Sequence, residues 1–324
     1  MSHPKDTYFL VADIGGTNTR VALSDGVNVL KPTIRRFRNA DYTALEVCLR
    51  EYIAAEGGVV PKAACVDVAG PVRNGKARMT NLDWDISTES LADATGAPHV
   101  ALLNDLQAQG NAIDHIAQDD LVCVREGAPA EADAAKLVVN VGTGFNASPV
   151  FSTGDGWLVA TSECGHANMP IRTDDDMRLC AYIEARHGFA ATEDVLSGRG
   201  LVRVYSWLAS EAGSDAAPTS AEIIEGCATE SDPLAVETVR VFTRMLAMVT
   251  GNLALVQLPF GGIYMVGGLS SAILPFMQQF DFEADFLDKG RFGSFLNSFP
   301  IHVVQDDYAA LKGCAAYLAS QLQS

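Results

Sequence analysis

The chain has 324 residues, enough for two domains and a large buried core. Its 23 Lys and Arg against 40 Asp and Glu give a formal charge of -17, which argues against a nucleic-acid backbone as main partner, although backbone N–H groups and a divalent cation can shield an anionic ligand locally. Seven scattered cysteines with no CxxC pair (Cys48, Cys65, Cys123, Cys164, Cys180, Cys227 and Cys314) suggest neither a disulfide framework nor a zinc knuckle and fit a reducing cytoplasm; Met-Ser-His-Pro-Lys-Asp at the start carries no apolar leader, and no run of about eighteen apolar residues predicts a membrane span.

In chain order, an apolar segment from Tyr8 to Ile14 ends in Gly15-Gly16, and Thr19 to Ser24 alternates before Asp25-Gly26. This predicts strand, tight turn, strand. A dinucleotide-binding unit needs a helix straight after its glycines, so a Rossmann unit is disfavoured here. Leu45, Cys48, Leu49, Tyr52 and Ile53 recur at helical spacing. A second buried strand closes at Val68-Ala69-Gly70-Pro71, Arg73-Asn74-Gly75 reads as a hairpin turn before Lys76 to Met79, and His99 to Leu103 reads as a further strand. After Asn104 a helix is expected to about Ile116. The Ala-rich, acidic stretch Gly127 to Ala135 marks a candidate domain boundary. Leu137 to Val141 then repeats the opening, running into Gly142-Thr143-Gly144 with Ala147 to Phe151 extended beyond, and two such openings suggest an internal duplication of architecture. Past Pro170 the chain reads as mainly helical. Thr219-Ser220-Ala221-Glu222 resembles a capping box, and Asp232-Pro233 caps a long amphipathic helix ending near Leu255. Gly261-Gly262 and Gly267-Gly268 bracket a strand from Ile263 to Val266, and Tyr308 to Leu322 reads as a final helix able to dock on a lobe, possibly the first.

Asp13-Ile14-Gly15-Gly16-Thr17-Asn18-Thr19-Arg20 is the sharpest local signal. Its glycines let backbone approach a ligand, Thr17 offers an N–H and a hydroxyl, and Asp13 at a strand end can hold water around Mg²⁺. The plain alternative is a capped turn with a surface arginine. Gly142-Thr143-Gly144 is a second candidate phosphate cradle, alone too short to distinguish from a structural turn. Asp105, after Asn104 at a strand's carboxyl end, stands where an attacking hydroxyl could lose its proton, or merely caps its helix. Glu163-Cys164-Gly165-His166 places a carboxylate and an imidazole around a glycine, both partners for vicinal hydroxyls, and Glu193 could add another polar contact. Zinc is poorly served by Cys164, His166 and the distant Cys180. No GxSxG elbow and no GxxxxGK[ST] loop occurs, which leaves a serine hydrolase and a P-loop kinase without their motifs.

Taken together these segments resemble the bacterial glucokinase family, the non-zinc branch of the hexokinase and actin-like ATPases. The resemblance runs through DIGGTNTR at 13–20, AGPV at 69–72, MTNLDW at 79–84, LNDL at 103–106, VGTG at 141–144, ECGH at 163–166, EDVLSGRGLVRVY at 193–205, GGIYMVGG at 261–268, DKGRF at 288–292 and LKGCAAYL at 311–318. It implies a two-lobed α/β actin-like ATPase (ribonuclease H-like) fold with a ligand cleft between the lobes. The small lobe would comprise residues 1–115 completed by a C-terminal helix at 308–324, and the large lobe residues 116–307. It further implies phosphorylation of glucose at the 6-hydroxyl by ATP with Mg²⁺ and no structural zinc, and a homodimer. Asp105 matches the family's catalytic base, and Asn104, Glu163, His166 and Glu193 its sugar ligands, with Gly70 beside them. Asp13, Gly15, Gly16, Thr17 and Asn18 join Gly142, Thr143 and Gly144 around the phosphates, and Gly267 and Gly268 match the nucleoside end. Two departures bear on sugar identity: Phe145-Asn146 stands where relatives show an apolar residue and then glycine, and Cys164 where they show the second residue of EGGH. The alternatives are an ATP-dependent kinase of another hexose and a catalytically impaired sugar-binding protein.

Overall fold

The computed structural model describes residues 8–79, 82–154 and 156–323; Thr80-Asn81 of the MTNLDW motif and the first seven residues lie outside the described residues. Packing divides the chain into two compact units. One holds the described residues of Met1–Ala117, Thr153–Thr161 and Asp306–Ser324, the other Gln118–Ser152 and Ser162–Gln305.

The first unit is built on a sheet ordered Asn28–Val29, Asn18–Asp25, Phe9–Ile14, Ala63–Val68, Val100–Asn104, with Arg35–Arg38 also paired to Asn18–Asp25. Phe9–Ile14 runs antiparallel to Asn18–Asp25 and parallel to Ala63–Val68, which is parallel to Val100–Asn104. Period-two alternation sorts these strands onto two cores. Leu10, Ala12, Ile14, Ala64, Val66 and Val68 face the helix Leu45–Ala55 through its Leu45, Cys48, Leu49 and Tyr52. Phe9, Val11, Ala63, Cys65 and Leu103 face the helix Ala309–Gln323 through Leu311, Cys314, Ala315 and Leu318. Central strands buried on both faces explain why Ala63–Val68 has no exposed residue. The C-terminal helix packs closely on the helix Asp105–Ala112, since a side chain at Gly313 would overlap the Ala108 carbonyl.

The second unit repeats this order. Phe145–Ser152 runs antiparallel to Lys136–Val141, which is parallel to Ile263–Val266, itself parallel to Ile301–Val304, with Leu121–Arg125 antiparallel on the outer edge. From Phe145–Ser152 to Ile301–Val304 the senses match those from Asn18–Asp25 to Val100–Asn104, so the expected duplication is present as topology; among the described residues Leu121–Arg125 is an addition to the second sheet. Because Leu121–Arg125 already pairs within this sheet, the stretch Gly127–Ala135 lies inside the second unit. It is held there by the Ala128 N–H on the Ser298 carbonyl at 3.2 Å, and by a Gly127 packed so tightly that a Cβ would meet the Pro300 nitrogen.

Helices cover the second sheet and start where the sequence supplies caps. Thr219 accepts from the Glu222 N–H ahead of Ser220–Ala228, and Asp232 accepts from the Leu234 N–H ahead of Pro233–Gln257. Pro233–Gln257 is long and apolar enough to cross a membrane, but Val239, Phe242, Met245 and Leu246 are core residues of this unit.

Candidate functional site

The first unit's loop after Phe9–Ile14 is a tight hairpin closed by the Gly15 N–H on the Asn18 carbonyl at 3.0 Å. Sequence reading missed what braces it. Asn39, 2% exposed, donates to the Gly15 carbonyl at 2.8 Å and accepts from Thr19 Oγ1 at 2.8 Å, while its own N–H meets the Thr17 carbonyl at 2.9 Å. One buried amide thus fixes both arms of the Gly15-Gly16-Thr17-Asn18 loop. Asp13, one residue before the end of its strand, is paired with Arg20 at 2.9 Å, in cross-strand register with it. Among the described residues no group of three or more His, Cys, Asp or Glu gathers as a metal site. A single carboxylate such as Asp13 can meet a Mg²⁺ ion through that ion's waters.

Asn104 ends the strand Val100–Asn104 and caps the helix Asp105–Ala112. Its Oδ1 accepts from the Leu106 N–H at 3.0 Å, and Gln107 Oε1 accepts from the Asn104 N–H at 3.0 Å. Its Nδ2 donates to the Gly70 carbonyl at 3.0 Å, so Asn104 and Gly70, far apart in sequence, are brought together. Asp105 is the first residue of the helix, half-buried, with Oδ1 on the Leu106 N–H at 2.8 Å. A helix-start contact through Oδ1 and a half-buried carboxylate coexist at this position.

Sequence reading also missed Asp67. It is fully buried, stands beside Asp13 in the parallel register, and receives Cys314 Sγ at 3.4 Å. Burial first, then the neighbouring Cys314, Asp13 and Asp105, push its carboxyl well above the usual range. An aspartate inside the apolar run Ala63–Val68 was the signal that could have found it.

In the second unit Gly142-Thr143-Gly144 turns between Lys136–Val141 and Phe145–Ser152, closed by the Gly142 N–H on the Gly144 carbonyl at 2.9 Å and tied onward by the Gly198 N–H on the Gly142 carbonyl at 2.8 Å. Gly267 and Gly268 end the neighbouring parallel strand and open the helix Gly268–Gln279. Gly267 has φ +97°, and a Cβ there would lie 2.5 Å from Asn140 Oδ1 and 2.6 Å from the Val141 carbonyl. Only glycine permits this approach. The two glycine loops therefore meet at the carboxyl ends of adjacent parallel strands, the edge where α/β sheets bind ligands.

Glu193 Oε2 accepts from the Phe145 N–H at 2.9 Å, and Oε1 from Arg199 at 3.3 Å. A Cβ on Gly144 would come 2.5 Å from Glu193 Oε2, so this glycine makes room for the carboxylate. Glu163 and His166 flank the single turn Cys164–His166 with Glu163 Oε2 and His166 Nε2 at 3.9 Å, both side chains well exposed. Each unit thus gathers its own subset of the predicted residues: Asp13, Gly15 to Asn18, Gly70, Asn104 and Asp105 in the first, and the rest in the second.

A family model described as Glucokinase matches residues 10–321. The glucokinase of Saccharophagus degradans is 33% identical over 316 residues, 96% of this chain and 98% of that protein. That of Cupriavidus pinatubonensis is 32% identical over 327 residues, 98% and 95% of the two chains. The crystal structure of a glucokinase from an Antarctic psychrotroph superposes with a TM-score of 0.85 at 28% identity, covering 97% of this chain and 99% of that one.

Proposed function

The chain belongs to the glucokinase family, with that family's two-lobed actin-like ATPase fold, and from that premise we propose that it transfers the γ-phosphoryl group of ATP to the 6-hydroxyl of D-glucose, giving glucose 6-phosphate and ADP. The observation that carries the reading is Asp105: within a match spanning nearly the whole chain, a half-buried carboxylate opens a helix at a strand's carboxyl end beside an Asn104 already fixed to Gly70.

The chemistry follows from the residue types. The sugar O6 forms a bond to the γ-phosphorus as the bond from that phosphorus to the bridging oxygen of ADP breaks, and the hydroxyl proton passes to the Asp105 carboxylate. Asn104, Glu163, His166 and Glu193 are the groups assigned to the sugar hydroxyls. Backbone N–H groups of the Gly15-Gly16-Thr17-Asn18 and Gly142-Thr143-Gly144 loops meet phosphate oxygens with little conformational loss, since both loops are already closed by hydrogen bonds. Gly267 and Gly268 accept the nucleoside end. Mg²⁺, with Asp13 near its waters, would supply neutralisation of phosphate charge. Seven free cysteines suit work in a reducing cytoplasm. A homodimer is the assembly that family membership suggests, and sedimentation at working concentration tests it.

The position of transfer is checked by ³¹P and ¹³C NMR of the product from ATP, Mg²⁺ and glucose. Phosphate on C6 with one ADP per sugar is the expected outcome. Phosphate on the anomeric carbon, or ATP consumed without a sugar phosphate, would reject the assignment.

A further inference from the structure

Phe145-Asn146 follows directly on the Gly142-Thr143-Gly144 loop, and the structure gives both residues work that a glycine at the second position could not do. Asn146 is half-buried at the second position of Phe145–Ser152, opposite Asn140. Its Nδ2 donates to the Ser162 carbonyl at 2.6 Å, and its Oδ1 accepts from the Cys164 N–H at 3.1 Å, Cys164 Sγ at 3.4 Å and the Ala147 N–H at 2.9 Å. The amide orientation is dictated by these partners, since the reversed group would set oxygen against the Ser162 carbonyl and N–H against the N–H of Cys164. One side chain therefore pins the backbone on both sides of Glu163. The turn is seated on the same strand again at Gly165, where any Cβ would overlap the Phe145 carbonyl, and the Phe145 N–H holds Glu193 at 2.9 Å.

Glu163 and His166 have side chains 63% and 65% exposed. Packing does not fix them, so their aim depends on the backbone that carries them. We propose that Asn146 is the positioning residue for sugar recognition: by clamping Ser162 and Cys164 it sets how Glu163 and His166 meet vicinal hydroxyls, without touching the sugar itself. The inference rests on the assignment of Glu163 and His166 to the sugar made above. It also gives Cys164 a place, because its thiol shares the acceptor that its own N–H uses.

The test is Asn146→Ala, with Asn146→Asp as the second variant because it keeps the acceptor to Cys164 and Ala147 while setting a carboxylate oxygen against the Ser162 carbonyl in place of the donor. For Asn146→Ala we expect the glucose KM, and the glucose Kd by calorimetry, to rise about 10-fold or more while the ATP KM stays within about twofold. The preference for glucose over its 2-deoxy analogue should fall in the same variant, and Asn146→Asp, which breaks the Ser162 side of the clamp, should shift affinity and preference in the same direction. If the alanine variant does not fold, the aspartate variant carries the comparison. A double-mutant cycle with Glu163→Gln adds a readout that a merely structural role would leave unmoved: the two changes should be non-additive in glucose affinity. Wild-type glucose turnover with unchanged affinity and preference in both Asn146 variants, or strict additivity in the cycle, would overturn the positioning role alone. A wild-type chain that neither binds nor phosphorylates glucose would overturn the function and this role with it.

Discussion

Replacing Asp105 with Asn should lower turnover by about 10²–10⁴-fold, the usual contribution of a positioned general base, or about 3–5 kcal/mol of barrier. Glucose affinity should change little. Asn is the informative substitution because Oδ1 of Asp105 accepts from the Leu106 N–H at 2.8 Å, an acceptor that an amide retains. The helix Asp105–Ala112 keeps its start, with Asn104 and Gln107 still forming the capping box. What disappears is the capacity of the carboxylate to take a proton. If Asp105 were only a cap, Asp105→Asn would turn over at nearly the wild-type rate, and Asp105→Ala would show its effect in thermal stability. Measuring kcat and glucose Kd on both variants separates the readings.

A second large effect is expected in stability, from Arg244→Met. Asp176 is 1% exposed and bound by Arg244 through both oxygens, with the Arg172 and Thr173 N–H groups each at 2.9 Å from Oδ2. Burial alone would raise this carboxyl. The Arg244 hydrogen bonds, the Arg172 N–H, the guanidinium charge and the Thr173 N–H outweigh it and hold the carboxyl below its ordinary value. Removing the guanidinium while keeping an apolar stem leaves a buried charge uncompensated, at a cost of about 3–5 kcal/mol. The pH dependence has a definite sign. A carboxylate whose folded pKa is depressed contributes stability that is present above the unfolded pKa, about 3.9, and is lost as pH falls through the folded value. The gap between wild type and Arg244→Met should therefore be full near neutrality and should narrow on acidification, first as the uncompensated Asp176 of the variant takes up a proton and then, below about pH 4, as the wild-type contribution is lost. Urea unfolding across that range checks it. A loss below about 1 kcal/mol, or a gap indifferent to pH, would show that the pair is not compensating a buried charge.

The elements of this fold were legible because local pattern and tertiary role agree. Apolar runs ending in glycine mark the strands Phe9–Ile14, Lys136–Val141 and Ile263–Val266, and cap residues at Thr219 and Asp232 mark helix starts. The helix after Asn104 is found where expected, though it is regular only to Ala112 before a single tighter turn. What sequence pattern does not carry is contact between distant residues. Asn39 braces Gly15 from 24 positions away, and Phe145 reaches Glu193 across 48. Asn39 reads as an ordinary polar turn residue until its fold neighbours are known. Asp67 looks like a strand irregularity until the register sets it beside Asp13. The segment Thr153–Thr161 belongs with the first unit, and its composition gives no sign of that.

The central claim is that this chain phosphorylates glucose in preference to other hexoses. Its most direct test is ADP formation by the purified protein with ATP and Mg²⁺, measured on glucose, mannose, galactose and fructose at matched concentrations. The highest kcat/KM is expected on glucose. A rate on another hexose far above that on glucose would contradict the substrate, and no ADP with any of the four would contradict the enzyme.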